Sequence, residues 1–177
     1  MIFTETKLNG VYLVEPERFE DKRGFFAPSF SANEFTARGL ASAFVENNIS
    51  YNKDRGTLRG LHYQAAPFGQ AKLVRCTRGS IFDVAVDLRR DSPTFCSWLG
   101  NTLSSENRLM MYLPGDVAHG FLTLEDDTEV FYQVSEFYRP EASRGLRWND
   151  PAFSIEWPLT DNPVILARDS AYADFEP

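Results

Sequence analysis

A chain of 177 residues with 43% apolar content, 15 phenylalanines among them, is long enough to bury an aromatic-rich core of its own. Charged residues make up 24%, which argues against disorder, and a net charge of −7 without a basic stripe excludes a broad nucleic-acid footprint. No run approaches about 18 uninterrupted apolar residues, so no membrane-spanning helix is expected. The opening MIFTETKLNG lacks the basic-then-apolar pattern of a secretion signal. Cys76 and Cys96 therefore read as reduced thiols of a cytoplasmic protein rather than as a disulfide scaffold.

In chain order, the first clear element is a helix. Ser31-Ala32-Asn33-Glu34 is a capping box, and Phe35, Ala37 and Leu40 follow it around Gly39. Strand signals dominate from about residue 42 onward. TLRGLHYQ (57–64) reads as an extended, hairpin-like stretch in which strict alternation would put Arg59 and His62 on opposite faces. Gly60 between them permits a bulge that turns both to one side. In IFDVAVDL (81–88), Phe82, Val84, Val86 and Leu88 alternate with Ile81, Asp83, Ala85 and Asp87. LMMYL (109–113), GFLTL (120–124) and TEVFYQVS (128–135) are further short strands, separated by turns such as Pro114-Gly115 and Glu125-Asp126-Asp127. After Trp157 the chain is punctuated by proline and is expected to pack as an irregular segment with a short helical turn. Without repeats, linkers or low-complexity tracts, residues 1–177 are expected to form one mainly β domain, a sandwich or barrel.

The chemistry-bearing residues are few. There are two histidines, His62 and His119, and each taken alone would more often be structural. Arg59, His62, Gln64 and Lys72 are close in sequence, however, and GDVAHGF (115–121) places His119 just after a turn. Tyr132 shares a strand face with Val130 and Val134, and alone reads as a core tyrosine whose hydroxyl finds a backbone partner. Asp169, in LARDS (166–170), alone reads as a surface carboxylate, and Phe25, Phe26 and Tyr138 as packing residues. A metal site is disfavoured, because His62-Tyr63-Gln64 stands where a β-barrel metal centre wants His-x-His. A site of two histidines and one carboxylate stays formally open.

RGFFAPSF (23–30), TLRGLHYQ (57–64), KLVRCTRGSIFDVAVDLR (72–89), SPTF (92–95), AHGF (118–121), RWNDP (147–151) and IEWP (155–158) resemble the dTDP-4-dehydrorhamnose 3,5-epimerase family in order and spacing. The resemblance implies a cupin-type jelly roll with a short N-terminal helix and an irregular C-terminal segment. It implies no metal or organic cofactor, and a homodimer with exchanged N-terminal strands that acts on a nucleotide-linked sugar. His62 matches the family's general base, Asp169 the carboxylate paired with it, and Tyr132 the general acid on the opposite face of the sugar. Arg59 and Lys72 match basic residues near the ketone and diphosphate. Arg23, Phe26, Glu46, Asn48, His119, Tyr138 and Arg168 stand at further substrate-contacting positions.

These roles agree with the chemistry. Carbons 3 and 5 of a 4-keto sugar are acidic because the negative charge delocalises onto the ketone oxygen, and inversion needs a base on one face and a proton donor on the other. The sequence departs from the family's usual residues at Pro28, Glu46-Asn47, Gln133, Ser143 and Arg168, which concern nucleotide recognition and not the acid–base set. Four other readings stand beside this one: an epimerase of another nucleotide sugar or of a single carbon, a non-catalytic sugar-nucleotide-binding cupin, a ketoisomerase and a metal-dependent cupin enzyme.

Overall fold

The computed structural model describes residues 1–158 and 161–176. Its strands are β1 (Ile2–Glu5), β2 (Tyr12–Glu15), β3 (Phe19–Asp21), β4 (Gly24–Phe26), β5 (Glu46–Asn52), β6 (Thr57–Gln64), β7 (Lys72–Arg78), β8 (Ser80–Asp87), β9 (Trp98–Ser104), β10 (Met110–Leu113), β11 (Val117–Thr123), β12 (Thr128–Val134), β13 (Ser143–Gly145) and β14 (Val164–Ile165). The helices are α1 (Ala32–Thr36) and α2 (Ala167–Ser170). Neither is long and apolar enough to cross a membrane.

Two sheets face each other. The first runs β1-β2-β10-β7-β12-β5 and the second β13-β6-β11-β8-β9, with β14 added parallel to β6; β3 and β4 form a separate hairpin. Directly opposed residues in an antiparallel pair share a face. The register Tyr132↔Val74 and Tyr132↔Asn48 therefore puts Tyr132, Val74 and Asn48 on one side of the first sheet. Val74, Cys76, Met111 and Val130 of that sheet interleave with Ile81, Ala85, Leu103, Val117 and Phe121 of the second, all buried. This is the gap between the layers, and the site lies at the end where polar side chains replace these apolar ones.

Both outer faces are covered in part. Phe35 of α1 is fully buried against Val14, Leu73, Met110 and Tyr112 on the outside of the first sheet, with Phe3, Phe30 and Phe44 around it. On the outside of the second sheet, Leu58, Val84, Val86 and Leu122 lie under Phe153 and Trp157 of the C-terminal segment. Strand β8, at the middle of this cover, thus buries both faces, which explains why apolar side chains point to both sides of it and why even Asp83 and Asp87 are buried.

Several elements differ from the expectation. Four strands, β1 to β4, precede residue 42; they are three or four residues long, too short to display a period, and hydrogen bonding to β10 (Met110↔Val14) docks β2 onto the first sheet. Helix α1 ends at Thr36, and Gly39, with φ +71°, turns the chain before Leu40. The capping box is half formed. Ser31 Oγ accepts from the Glu34 amide at 3.5 Å, while the Glu34 carboxylate turns to the N-terminal ammonium at 2.9 Å.

Candidate active site

The bulge expected at Gly60 is present and it organises the site. The register of β6 and β11 runs His62↔His119 and then Arg59↔Phe121, so Gly60 and Leu61 together oppose the single residue Gly120. Arg59 and His62 consequently line the same cavity. Only glycine fits the bulge: Gly60 has φ +134°, and a Cβ there would stand 2.5 Å from the Gly120 Cα.

That cavity, of about 490 Å³, opens between the two sheets and holds Arg59, His62, Lys72, His119, Tyr132, Arg168 and Asp169. The second sheet contributes Arg59 and His62 from β6 and His119 from β11. Lys72 on β7 and Tyr132 on β12 belong to the facing sheet. Ile49, Ser50, Tyr51, Phe121 and Leu166 complete the lining.

Asp169 is buried at 1% exposure, contrary to its reading as a surface carboxylate. Strand β14 pairs with Thr57 and Leu58 of β6, and α2 follows immediately, which brings Asp169 behind His62. Its Oδ1 lies 2.9 Å from His62 Nε2 and 3.3 Å from the Arg168 Nε that donates to it. An ionised carboxylate only accepts, so the His62 Nε2–H donates and Nδ1 carries the lone pair. Burial pushes the His62 imidazolium below its ordinary value; Asp169 opposes that shift, and Lys72 and Arg168 add to it. Such a histidine is neutral at pH 7 and free to take a proton.

Across the gap, burial raises the Tyr132 phenol above its ordinary range, so it stays protonated and able to donate. Lys72 donates to the His62 carbonyl at 3.3 Å, and burial lowers its ammonium to about 8 against the opposing pull of Asp83. Arg59 is held by its Nε donating to Asn52 Oδ1 at 2.7 Å and by Nη2 donating to the Tyr51 carbonyl at 3.3 Å. His119 Nε2 bonds Asp83 Oδ1 at 2.7 Å. The cavity therefore combines a base backed by a carboxylate, a facing acid, and a set of cations suited to an anion.

Five of the sequence candidates lie elsewhere. Glu46 and Asn48 sit on β5, half-buried beside Val134 and Tyr132. Tyr138 lines a smaller adjoining cavity with His62, Lys72, Tyr132 and Arg168. Arg23 and Phe26 lie on the β3–β4 hairpin, outside the cavity: Arg23 pairs with Asp21 at 2.6 Å and Phe26 is 71% exposed. Sequence reasoning gave no role to Asp83 and Asn52, which hold His119 and Arg59. The available signal was a carboxylate on the Ile81–Ala85 face of an otherwise apolar strand.

With this geometry in view, the relatives are informative. Residues 5–176 match the family model described as dTDP-4-dehydrorhamnose 3,5-epimerase. The dTDP-4-dehydrorhamnose 3,5-epimerase of Pseudomonas aeruginosa is 46% identical over 97% of this chain and 96% of its own. The chain belongs to the dTDP-4-dehydrorhamnose 3,5-epimerase family. It is an isomerase, of the carbohydrate-epimerase class. The crystal structure of the Bacillus anthracis family member with TDP and pyrophosphate bound superposes with a TM-score of 0.93, at 40% identity, covering 98% of this chain and 99% of that one. The facing sheets are accordingly the cupin-type jelly roll of this family. A relative from Streptomyces niveus, 37% identical over 92% of this chain and 78% of its own, is a dTDP-4-dehydrorhamnose 3-epimerase.

Proposed function

We propose that this enzyme inverts carbons 3 and 5 of dTDP-4-dehydro-6-deoxy-D-glucose by proton transfer between His62 and Tyr132. The observation that carries the reading is the placement of His62, backed by buried Asp169, on one sheet and Tyr132 on the facing sheet of one cavity. His62 Nδ1 removes a proton from the carbon beside the ketone, and the negative charge moves to the ketone oxygen. Lys72 is the first candidate to stabilise that oxygen and Arg59 the second, because fixed charge in a desolvated site costs no reorganisation during the reaction. Tyr132 then returns a proton from the opposite face, which inverts the carbon. General acid–base help of this kind contributes about 10²–10⁴-fold.

Arg59, Lys72 and Arg168 supply positive charge for the diphosphate in an otherwise acidic protein. The hairpin bearing Arg23 and Phe26 lies outside its own chain's cavity, and we assign it to the cavity of a second copy in a homodimer. Support comes from exposed apolar side chains on the hairpin and on the edge strand β5, where Phe19 is 59% and Ile49 67% exposed. Light scattering of the purified protein tests the dimer, and a monomeric mass rejects it.

The test of the reaction is incubation with dTDP-4-dehydro-6-deoxy-D-glucose in heavy water, followed by NMR. Deuterium at carbons 3 and 5, with the ketone still at carbon 4, is expected. No exchange at either carbon rejects the substrate. Exchange at carbon 3 alone selects the second reading, a 3-epimerase, which the Streptomyces niveus relative favours.

A further inference from the structure

Behind the cavity wall lies a buried carboxylate with no part in the acid–base pair. Asp83 on β8 is fully buried, and its Oδ1 bonds His119 Nε2 at 2.7 Å. Its other oxygen, Oδ2, has no hydrogen-bonding partner among the described residues. The registers Asp83↔Phe121 and Ala85↔His119 put Asp83 on the inner face of the second sheet, the face that looks across the gap toward Lys72. An aspartate buried there is costly unless a cation or donors compensate it. A histidine supplies one compensation, and Lys72 is the cation across the gap.

We infer that Asp83 is a positioning residue for the reaction, which fixes the ring and tautomer of His119 and holds Lys72 as an ammonium at the cavity. Because the carboxylate can only accept, the His119 Nε2 must carry a proton, and Nδ1 is then the one ring nitrogen left for the substrate. The second effect is electrostatic. Burial alone works against a charged Lys72, and Asp83 is the charge that offsets it. The other titratable groups lining the cavity with Lys72 are Tyr51 from β5, Arg59 and His62 from β6, His119 from β11, Tyr132 from β12, and Arg168 and Asp169 from α2. Asp169 is the carboxylate among them, and its Oδ1 is taken up by His62 and Arg168. Asp83 thus supplies the anion that an oxyanion-stabilising lysine needs to remain charged before substrate arrives. The inference rests on the proposed epimerase reading for its effect on rate, and on geometry alone for its effect on His119.

Asp83→Asn keeps the side chain's shape and an acceptor oxygen and removes only the charge. Expected are dTDP binding within about threefold of the parent and a kcat lower by about 10²–10³-fold, the scale of losing one preorganised electrostatic group. The alkaline limb of the kcat profile should also move to lower pH, because Lys72 loses its proton earlier. A merely structural role would lower the melting temperature without moving that limb. A variant with parental kcat and an unmoved limb overturns the Lys72 half of the inference. The His119 half is read on the parent enzyme by ¹⁵N NMR, where only two imidazoles contribute. An Nε2-protonated His119 is expected, and an imidazole protonated on Nδ1 alone overturns the assignment even if Asp83→Asn fails to fold. If the parent enzyme itself shows no deuterium exchange, the epimerase reading fails while the His119 spectrum still decides the positioning claim.

Discussion

Replacing Gly60 by alanine should damage stability and catalysis together. Gly60 sits at φ +134°, where an L side chain is strained by about 1–3 kcal/mol. The added Cβ would stand 2.5 Å from the Gly120 Cα and 3.0 Å from the His119 carbonyl oxygen, both backbone atoms that cannot swing aside. Overpacking of this kind costs about 1–3 kcal/mol more. The midpoint of the sum, about 4 kcal/mol, corresponds to a drop in Tm of roughly 8–16 °C for a chain of this size. Relaxation must come from separating β6 and β11, which displaces Arg59, His62 and His119 at once. A shift of about 1 Å in such groups costs on the order of 10²-fold in rate. Gly39→Ala is the matched control: its φ is +71°, but a Cβ there meets nothing within 4 Å. Calorimetry and the heavy-water NMR assay on both variants provide the measurement. If Gly60→Ala loses no more stability than Gly39→Ala and keeps parental kcat, the bulge does not place the base.

Further outcomes follow from the same geometry. The profile of kcat/KM against pH should be a bell. Its acid limb lies below the ordinary histidine value of 6.5, because His62 must be neutral to act and burial depresses it, and its alkaline limb lies near 8, where Lys72 loses its proton; a profile flat from pH 5 to 10 would contradict both assignments. Tyr132→Phe should bind dTDP as the parent does while net inversion falls about 10²–10⁴-fold, and unchanged product formation would remove Tyr132 from its role. Asp87→Asn should cost about 3 kcal/mol in urea melts at pH 7, because it disrupts a fully buried carboxylate that accepts from Arg89, Ser92 and Thr94. Burial alone would raise that carboxyl, but these bonds outweigh it and hold Asp87 well below the usual carboxylate range. Its stabilisation is therefore complete above the unfolded value of 3.8 and fades below it, so the gap between parent and variant should close in acid and persist at neutral pH.

The parts legible in the sequence were those with a local cause. The Ser31 cap, the paired faces of 81–88, and the grouping of Val130, Tyr132 and Val134 all depend on neighbours within a few positions. The bulge at Gly60 was legible because one glycine between two polar residues has few structural uses. What escaped was set by distance along the chain. His62 and Asp169 are 107 residues apart, and nothing in LARDS distinguishes a buried carboxylate from an exposed one; their pairing was implied by family resemblance alone. Asp83 was visible as a charge on an apolar face, but its partner His119 lies 36 residues away, on a strand whose register the sequence does not supply. Strands β1 to β4 left no mark in the periodicity, and N-terminal strands were implied by family resemblance alone, because their pairing partners, and not their own composition, make them strands.

The route by which Asp169 reaches His62 has a temporal meaning. Both walls of the cavity are encoded by residue 145, yet the carboxylate behind the base arrives on β14 and α2, clamped by Asp150 accepting from the Phe175 amide at 2.6 Å and by Arg147 pairing with Asp174. In order of synthesis Arg59, Lys72 and Tyr132 therefore come first, and the proposed base His62 precedes the carboxylate bonded to it by 107 residues. On the proposed mechanism, His62 has its orienting carboxylate only when the C-terminal segment is docked on β6.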